Sequence, residues 1–135
     1  MFGLDGPKFF LYLTKDTPYT RWPLWPGEGR DRPAGEPHGP YRTLYVNPAA
    51  SAALTRGEPL PFGSLLVMEN RAADKSLRNL AVRIKLKGYH PEAGDWYWFL
   101  FSPDGSLQAE GKPGTCIACH SGAKDRDFVM HGSVR

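Results

Sequence analysis

The chain has 135 residues, a formal charge of +3 and two cysteines. This length allows one domain with a sizeable core, so residues 1–135 are read as a single domain. Its charges are mixed along the chain without a lysine or arginine block, which argues against a nucleic-acid or membrane-surface partner, and the apolar run Phe9-Phe10-Leu11-Tyr12-Leu13 is far too short to span a membrane.

After that apolar run comes Arg21-Trp22-Pro23-Leu24-Trp25-Pro26-Gly27, whose tryptophans are expected to pin the segment to the body, and then a polar, proline-rich loop to about Pro40. Tyr41 to Val46 is β-prone. It ends at Asn47-Pro48, where asparagine caps and proline takes the first position of a helix over Pro48 to Arg56, stopped by Gly57. Gly63 to Asn70 reads as a strand. Asn79 to Lys87 reads as another, with Val82, Ile84 and Leu86 alternating against Arg83, Lys85 and Lys87 on a solvated face. Trp96 to Phe101 is a strand apolar on both faces, turned at Pro103-Asp104-Gly105 into Ser106 to Glu110. The order of elements predicts an α+β domain: an antiparallel sheet flanked by a few helices.

The only cysteines lie in Cys116-Ile117-Ala118-Cys119-His120, and Cys-x-x-Cys-His is the attachment signature of a c-type haem. On a helical turn the two sulfurs and the imidazole share one face, so Cys116 and Cys119 can form thioethers to one planar group while His120 ligates its iron. A zinc site or a thioredoxin-like dithiol fits less well. His38, His90 and His131 are scattered singly rather than paired for zinc, and the motif follows no opening βαβ pattern. His38 in its Pro/Gly loop and His90 before Pro91 read as turn residues, and His131 as a residue of a polar tail. The expected cofactor is therefore one covalent haem c. Such attachment in bacteria normally takes place outside the cytoplasmic membrane, so the protein is expected to be periplasmic. The N-terminus lacks secretory-signal character, and the chain is read as a mature form.

Four segments taken in order, Tyr41-Arg42-Thr43-Leu44-Tyr45-Val46-Asn47-Pro48, Gly63-Ser64-Leu65-Leu66-Val67-Met68-Glu69-Asn70, Gly94-Asp95-Trp96-Tyr97-Trp98-Phe99 and Cys116 to His120, resemble the cytochrome P-460 and cytochrome c′-beta family. The resemblance implies a periplasmic, usually dimeric, largely β-sheet protein, with haem c on a proximal histidine and the other side of the iron open or lightly capped. It implies one of two activities, hydroxylamine oxidation or the binding of nitric oxide and carbon monoxide.

In the hydroxylamine-oxidising members a lysine on the second segment is covalently linked to the macrocycle, and the matching position here is Met68. A thioether has no N–H and cannot make that link. Met68 is expected to fill space beside the haem, with iron ligation and a His/Met electron-transfer cytochrome as the alternative. Strand alternation puts Ser64, Leu66 and Met68 on one side, as candidate cofactor contacts, and Leu65, Val67 and Glu69 on the other. Arg42 matches a family arginine near the distal side, where a guanidinium can donate to a ligand or a propionate. Thr115 stands where the hydroxylamine oxidisers carry an acidic residue, and threonine is a poor base. The leading expectation is a non-catalytic haem protein with an apolar distal pocket, binding nitric oxide or carbon monoxide, as a homodimer with a possible redox partner. A P-460-type enzyme is the further alternative.

Overall fold

Alternation of side chains along β-strands divides this molecule into two cores, one on each side of a single sheet. The computed structural model describes residues 6–27, 29–33, 40–89 and 95–111. Among the described residues six strands, β1 (Arg32–Pro33), β2 (Tyr41–Val46), β3 (Leu65–Arg71), β4 (Leu77–Lys85), β5 (Trp96–Phe101) and β6 (Leu107–Gly111), pair antiparallel in chain order. Helix α1 (Gly6–Leu11) runs into a wide π-type turn over Tyr12–Asp16, a 3-10 turn covers Tyr19–Arg21, and α2 (Pro48–Arg56) connects β2 to β3. The fold is the α+β arrangement the sequence predicts. Its motif-bearing C-terminal segment lies outside the described residues.

The local chemistry explains most of the boundaries. Asn47 caps α2 by accepting from the Ala50 N–H at 3.2 Å, Pro48 follows at the first helical position, and Gly57 closes the helix with φ of +68°. The same asparagine fastens the helix to β3: its Oδ1 also accepts from Leu65 N–H at 3.1 Å and its Nδ2 donates to the Gly63 carbonyl at 3.0 Å. In the β5–β6 hairpin, Gly105 has φ of +93°, and Ser106 N–H donates to Asp104 Oδ1 at 2.9 Å. A Cβ at Gly105 would also meet the Phe10 ring at 2.8 Å, so this turn leaves room for α1 to dock.

One core forms where α1 and the turns after it cover the side of the sheet bearing Tyr45, Leu65, Val67, Leu80, Val82, Tyr97, Phe99 and Phe101. Phe9 lies 4.8 Å from Phe99 and Phe10 5.2 Å from Phe101 between ring centroids, within the tilted geometry aromatic pairs favour. The tryptophan segment is pinned as expected, with Trp22 buried on this side and Trp25 on the other, while Trp25 N–H donates to Leu44 and Val46 N–H to Pro23.

One expectation is corrected. The β4 face bearing Arg83 and Lys85 is not solvated: Arg83 is 5% exposed, its guanidinium carbon 4.7 Å from the rings of both Trp96 and Trp98, and Lys85 Nζ lies 5.4 Å from Trp96. Pairing Arg83 with Trp98 in register puts the cation over apolar rings that accept it, a contact worth about 0.5–2 kcal/mol. Strand boundaries also move. Glycines at +91° (Gly63) and +77° (Gly88) place the predicted ends of β3 and β4 in turns, so β3 starts and β4 ends two residues further into the sequence-predicted runs.

Near the β1 edge a polar network is built into the first core. Tyr19 donates to Glu69 Oε2 at 2.6 Å and Arg71 Nη2 to Glu69 Oε1 at 3.0 Å, with Glu69 itself 5% exposed. Burial first, and then the hydrogen bond to Glu69, push the Tyr19 hydroxyl far above the ordinary tyrosine value. A raised value means that the folded state holds this proton more tightly than the unfolded chain. Its contribution is complete below about pH 10 and is lost as pH climbs above it.

Two outcomes are expected. Asn47→Ala should cost about 2 kcal/mol in urea unfolding, more than a simple cap, because it also releases β3; a loss under about 0.5 kcal/mol would show that the bonds to Gly63 and Leu65 carry nothing. Tyr19→Phe should cost about 1 kcal/mol near neutrality and make the fall in stability above about pH 10 shallower than in the native protein, as unfolding curves across that range will read.

Candidate functional site

The second side of the sheet carries the residues that the motif argument singled out. Three cross-strand rows define it. Val46, Leu66, Arg83 and Trp98 stand in register across β2 to β5; the next row is Leu44, Met68, Ala81 and Leu100; the third is Arg42, Asn70 and Asn79 across β2 to β4. Neighbours within a row are close enough for their side chains to interact directly. Apart from Arg83, whose guanidinium lies over the rings of Trp96 and Trp98, the face therefore grades from an apolar end to a polar end within three rows, and Met68 lies in the middle one.

At the apolar end Ala50 and Ala53 of α2 pack with Trp25, Leu60, Trp96 and Trp98 around Leu44, Val46, Leu66 and Met68. Small residues on α2 let the helix approach the sheet closely, and its Asn47 anchor fixes where it sits. Met68 is 7% exposed, and its register partners are Leu44 on one side and the small Ala81 on the other. An unbranched thioether beside an alanine suits an irregular apolar wall.

Of the predicted contacts, Arg42, Leu66 and Met68 come together on this face, with Arg42 half-buried at the polar end. Ser64 sits just before β3, fully buried. Its hydroxyl donates to the Pro61 carbonyl at 2.7 Å and its carbonyl accepts from Lys85 N–H at 3.0 Å, so its polar groups close the turn that starts the strand. Cys116, Cys119, His120, Thr115, His38, His90 and His131 lie outside the described residues.

Two residues of the polar row were not singled out from sequence. Asn70 is buried to 2% exposure, and its Nδ2 donates to Asn79 Oδ1 at 2.7 Å across the β3–β4 pair. Its Oδ1 is buried and has no hydrogen-bond donor among the described residues. The available signal was parity: Asn70 is two residues beyond Met68 and so shares its face.

The opposite side holds a polar concavity of about 160 Å³, lined by Arg30, Asp31, Thr43, Glu69, Arg71 and Lys75. Its carboxylates each have a cation, Glu69 with Arg71 at 3.0 Å and Asp31 with Lys75 at 3.9 Å, and Thr43 Oγ1 accepts from Asp31 N–H. This arrangement reads as a bracing network for the β1–β2 edge. Among the described residues no group of three or more His, Cys, Asp or Glu is placed to hold a metal ion, and no helix is long and apolar enough to cross a membrane.

Compared with curated proteins, the chain finds no match. A family model does match: residues 18–131 fit the one described as Cytochrome P460, a stretch that contains all six strands, the Met68 face and Cys116 to His120. Order of motifs, antiparallel sheet and family match agree, and the chain belongs to the cytochrome P460 family of haem-binding cytochromes.

Proposed function

We propose that this protein is a periplasmic c-type cytochrome with one haem, joined through Cys116 and Cys119 and ligated by His120, that binds nitric oxide or carbon monoxide on the other side of the iron. The residues of the described face fit such a group. Leu44, Leu66, Met68 and Trp98 offer an apolar wall for a porphyrin, and the buried Asn70 Oδ1 lacks a donor that the protein itself does not supply among the described residues. With His120 as the residue that would hold it, haem would supply an iron able to take a small ligand.

The observation that carries the choice of activity is Met68. The family resemblance places it at the cross-linking lysine, and in the fold it is packed between Leu44 and Ala81 in the apolar core. A sulfur without N–H forms no carbon–nitrogen link to the macrocycle, which speaks against hydroxylamine oxidation of the P-460 type. Close packing among aliphatic and indole side chains speaks for a space-filling role rather than iron ligation. The chain's own contribution is then an apolar surface that excludes water along the Met68 row. Neutral diatomics need no desolvation of charge to enter there. Beyond that row the face is polar, with Arg42, Asn70 and Asn79, so the wall is less uniformly apolar than the sequence suggested. A homodimer, which the resemblance implies, and a redox partner belong to the same proposal.

Optical spectra of the ferric, ferrous and carbon-monoxide forms test this reading. The ferrous protein is expected to be high-spin and to take up carbon monoxide, with no signature of a cross-linked macrocycle. Met68→Leu should change carbon monoxide affinity by less than about tenfold, as a volume-conserving swap in an apolar wall does. A low-spin ferrous protein that refuses carbon monoxide, with a thioether-to-iron band lost in Met68→Leu, would instead establish a His/Met electron-transfer cytochrome. Sustained hydroxylamine consumption with an electron acceptor would establish the enzyme.

A further inference from the structure

The buried amide of Asn70 leaves an acceptor atom on this face without a hydrogen-bond donor among the described residues. It is 2% exposed, Nδ2 is committed to Asn79 Oδ1 at 2.7 Å, and Oδ1 meets no donor among the described residues. Buried polar atoms are almost always satisfied, and an exception calls for a partner that arrives from elsewhere. The side chain has little freedom to turn away. Its Nδ2 bond to Asn79 holds it across the β3–β4 pair, at the last regular position before the register shifts between Asn70 and Arg71, and on the other side it pairs with Arg42 of β2. Asn70 is also two residues from Met68 on the same face, a rise of about 7 Å along a strand.

Resting on the proposed function, and taking Met68 to face the haem, we infer that Asn70 Oδ1 accepts a hydrogen bond from a ligand at the open iron position. Asn70 thereby sets the discrimination between small ligands that carry a hydrogen and diatomics that do not. An amide oxygen only accepts. Water can donate to it; carbon monoxide and nitric oxide cannot. Asn70 therefore favours water at the ferric iron and gives nothing directly to carbon monoxide at the ferrous iron. The apolar Met68 row admits the diatomic, and the amide oxygen beside it holds the water that the diatomic must replace.

The test uses the haem-loaded protein, with a pyridine haemochrome assay and far-UV circular dichroism on every variant, and water and carbon monoxide as the two probes. Ferric coordination is read by electron paramagnetic resonance and resonance Raman, and ferrous carbon monoxide affinity by titration. Asn70→Leu is expected to lower water affinity, and with it the water-to-carbon-monoxide affinity ratio, by about fivefold to tenfold, the loss of one neutral hydrogen bond. Asn70→Asp, which keeps an acceptor, should retain the water; it also keeps the idea testable if the leucine variant folds poorly. A haem-loaded Asn70→Leu with native water occupancy overturns the role of Asn70 alone. So does a fall in carbon monoxide affinity larger than the fall in water affinity, because it would put the amide N–H toward the ligand. A protein that takes up no haem, or whose iron is ligated by Met68, overturns the parent reading and this inference together.

Discussion

Register between β2, β3, β4 and β5 is the constraint on which the rest of this structure depends. Side chains alternate with a period of two, so a slip of one residue in β3 would send Leu66, Met68 and Asn70 into the Phe99 core and bring Leu65, Val67 and Glu69 to the other side. The register is held from several directions. Asn47 ties α2 to the start of β3, the aromatic ladder of β5 packs against α1, and Glu69 is held on its own side by Tyr19 and Arg71. Each makes the slipped pairing costly, either by stranding a buried charge or by exposing aromatic area.

A sheet apolar on both faces has a functional consequence. One face is closed by the chain's own N-terminal elements, so its chemistry is packing. On the other, α2 packs into the cluster that holds Leu44, Leu66, Met68 and Trp98, and Met68 stands beside a row of amides and a guanidinium. The proposed function rests on this division. The covered side gives stiffness, and the graded side offers an apolar surface next to a buried acceptor.

How much of this was legible depended on whether the signal was local. Asn47-Pro48 and Gly57 announced α2 because capping and the left-handed stop are properties of single residues, and Trp96 to Phe101 was read at its observed bounds because six aromatic or aliphatic residues in a row leave little choice. Strand ends were displaced where glycine backbone angles turned the chain, as at Gly63 and Gly88. Proline at the tiny β1 edge hid that strand inside an expected loop, since an edge can spare the missing N–H. Arg83 was misread because a cation on an alternating strand looks solvated until the facing strand puts Trp98 opposite it. Asn70 was passed over for the same reason: its importance lies in a partner its Oδ1 lacks, and sequence records no partners.

Haem against the Met68 face, rather than against the Tyr97, Phe99 and Phe101 face, is the central claim. The chain has three methionines, so selective carbon-13 labelling of methionine methyl groups gives a spectrum simple enough to assign, with Met68→Leu identifying the relevant signal. In the diamagnetic ferrous carbon monoxide form, the account predicts a Met68 methyl resonance displaced well away from the ordinary methionine position by the porphyrin ring current. A Met68 methyl at the ordinary position in haem-loaded protein would contradict it.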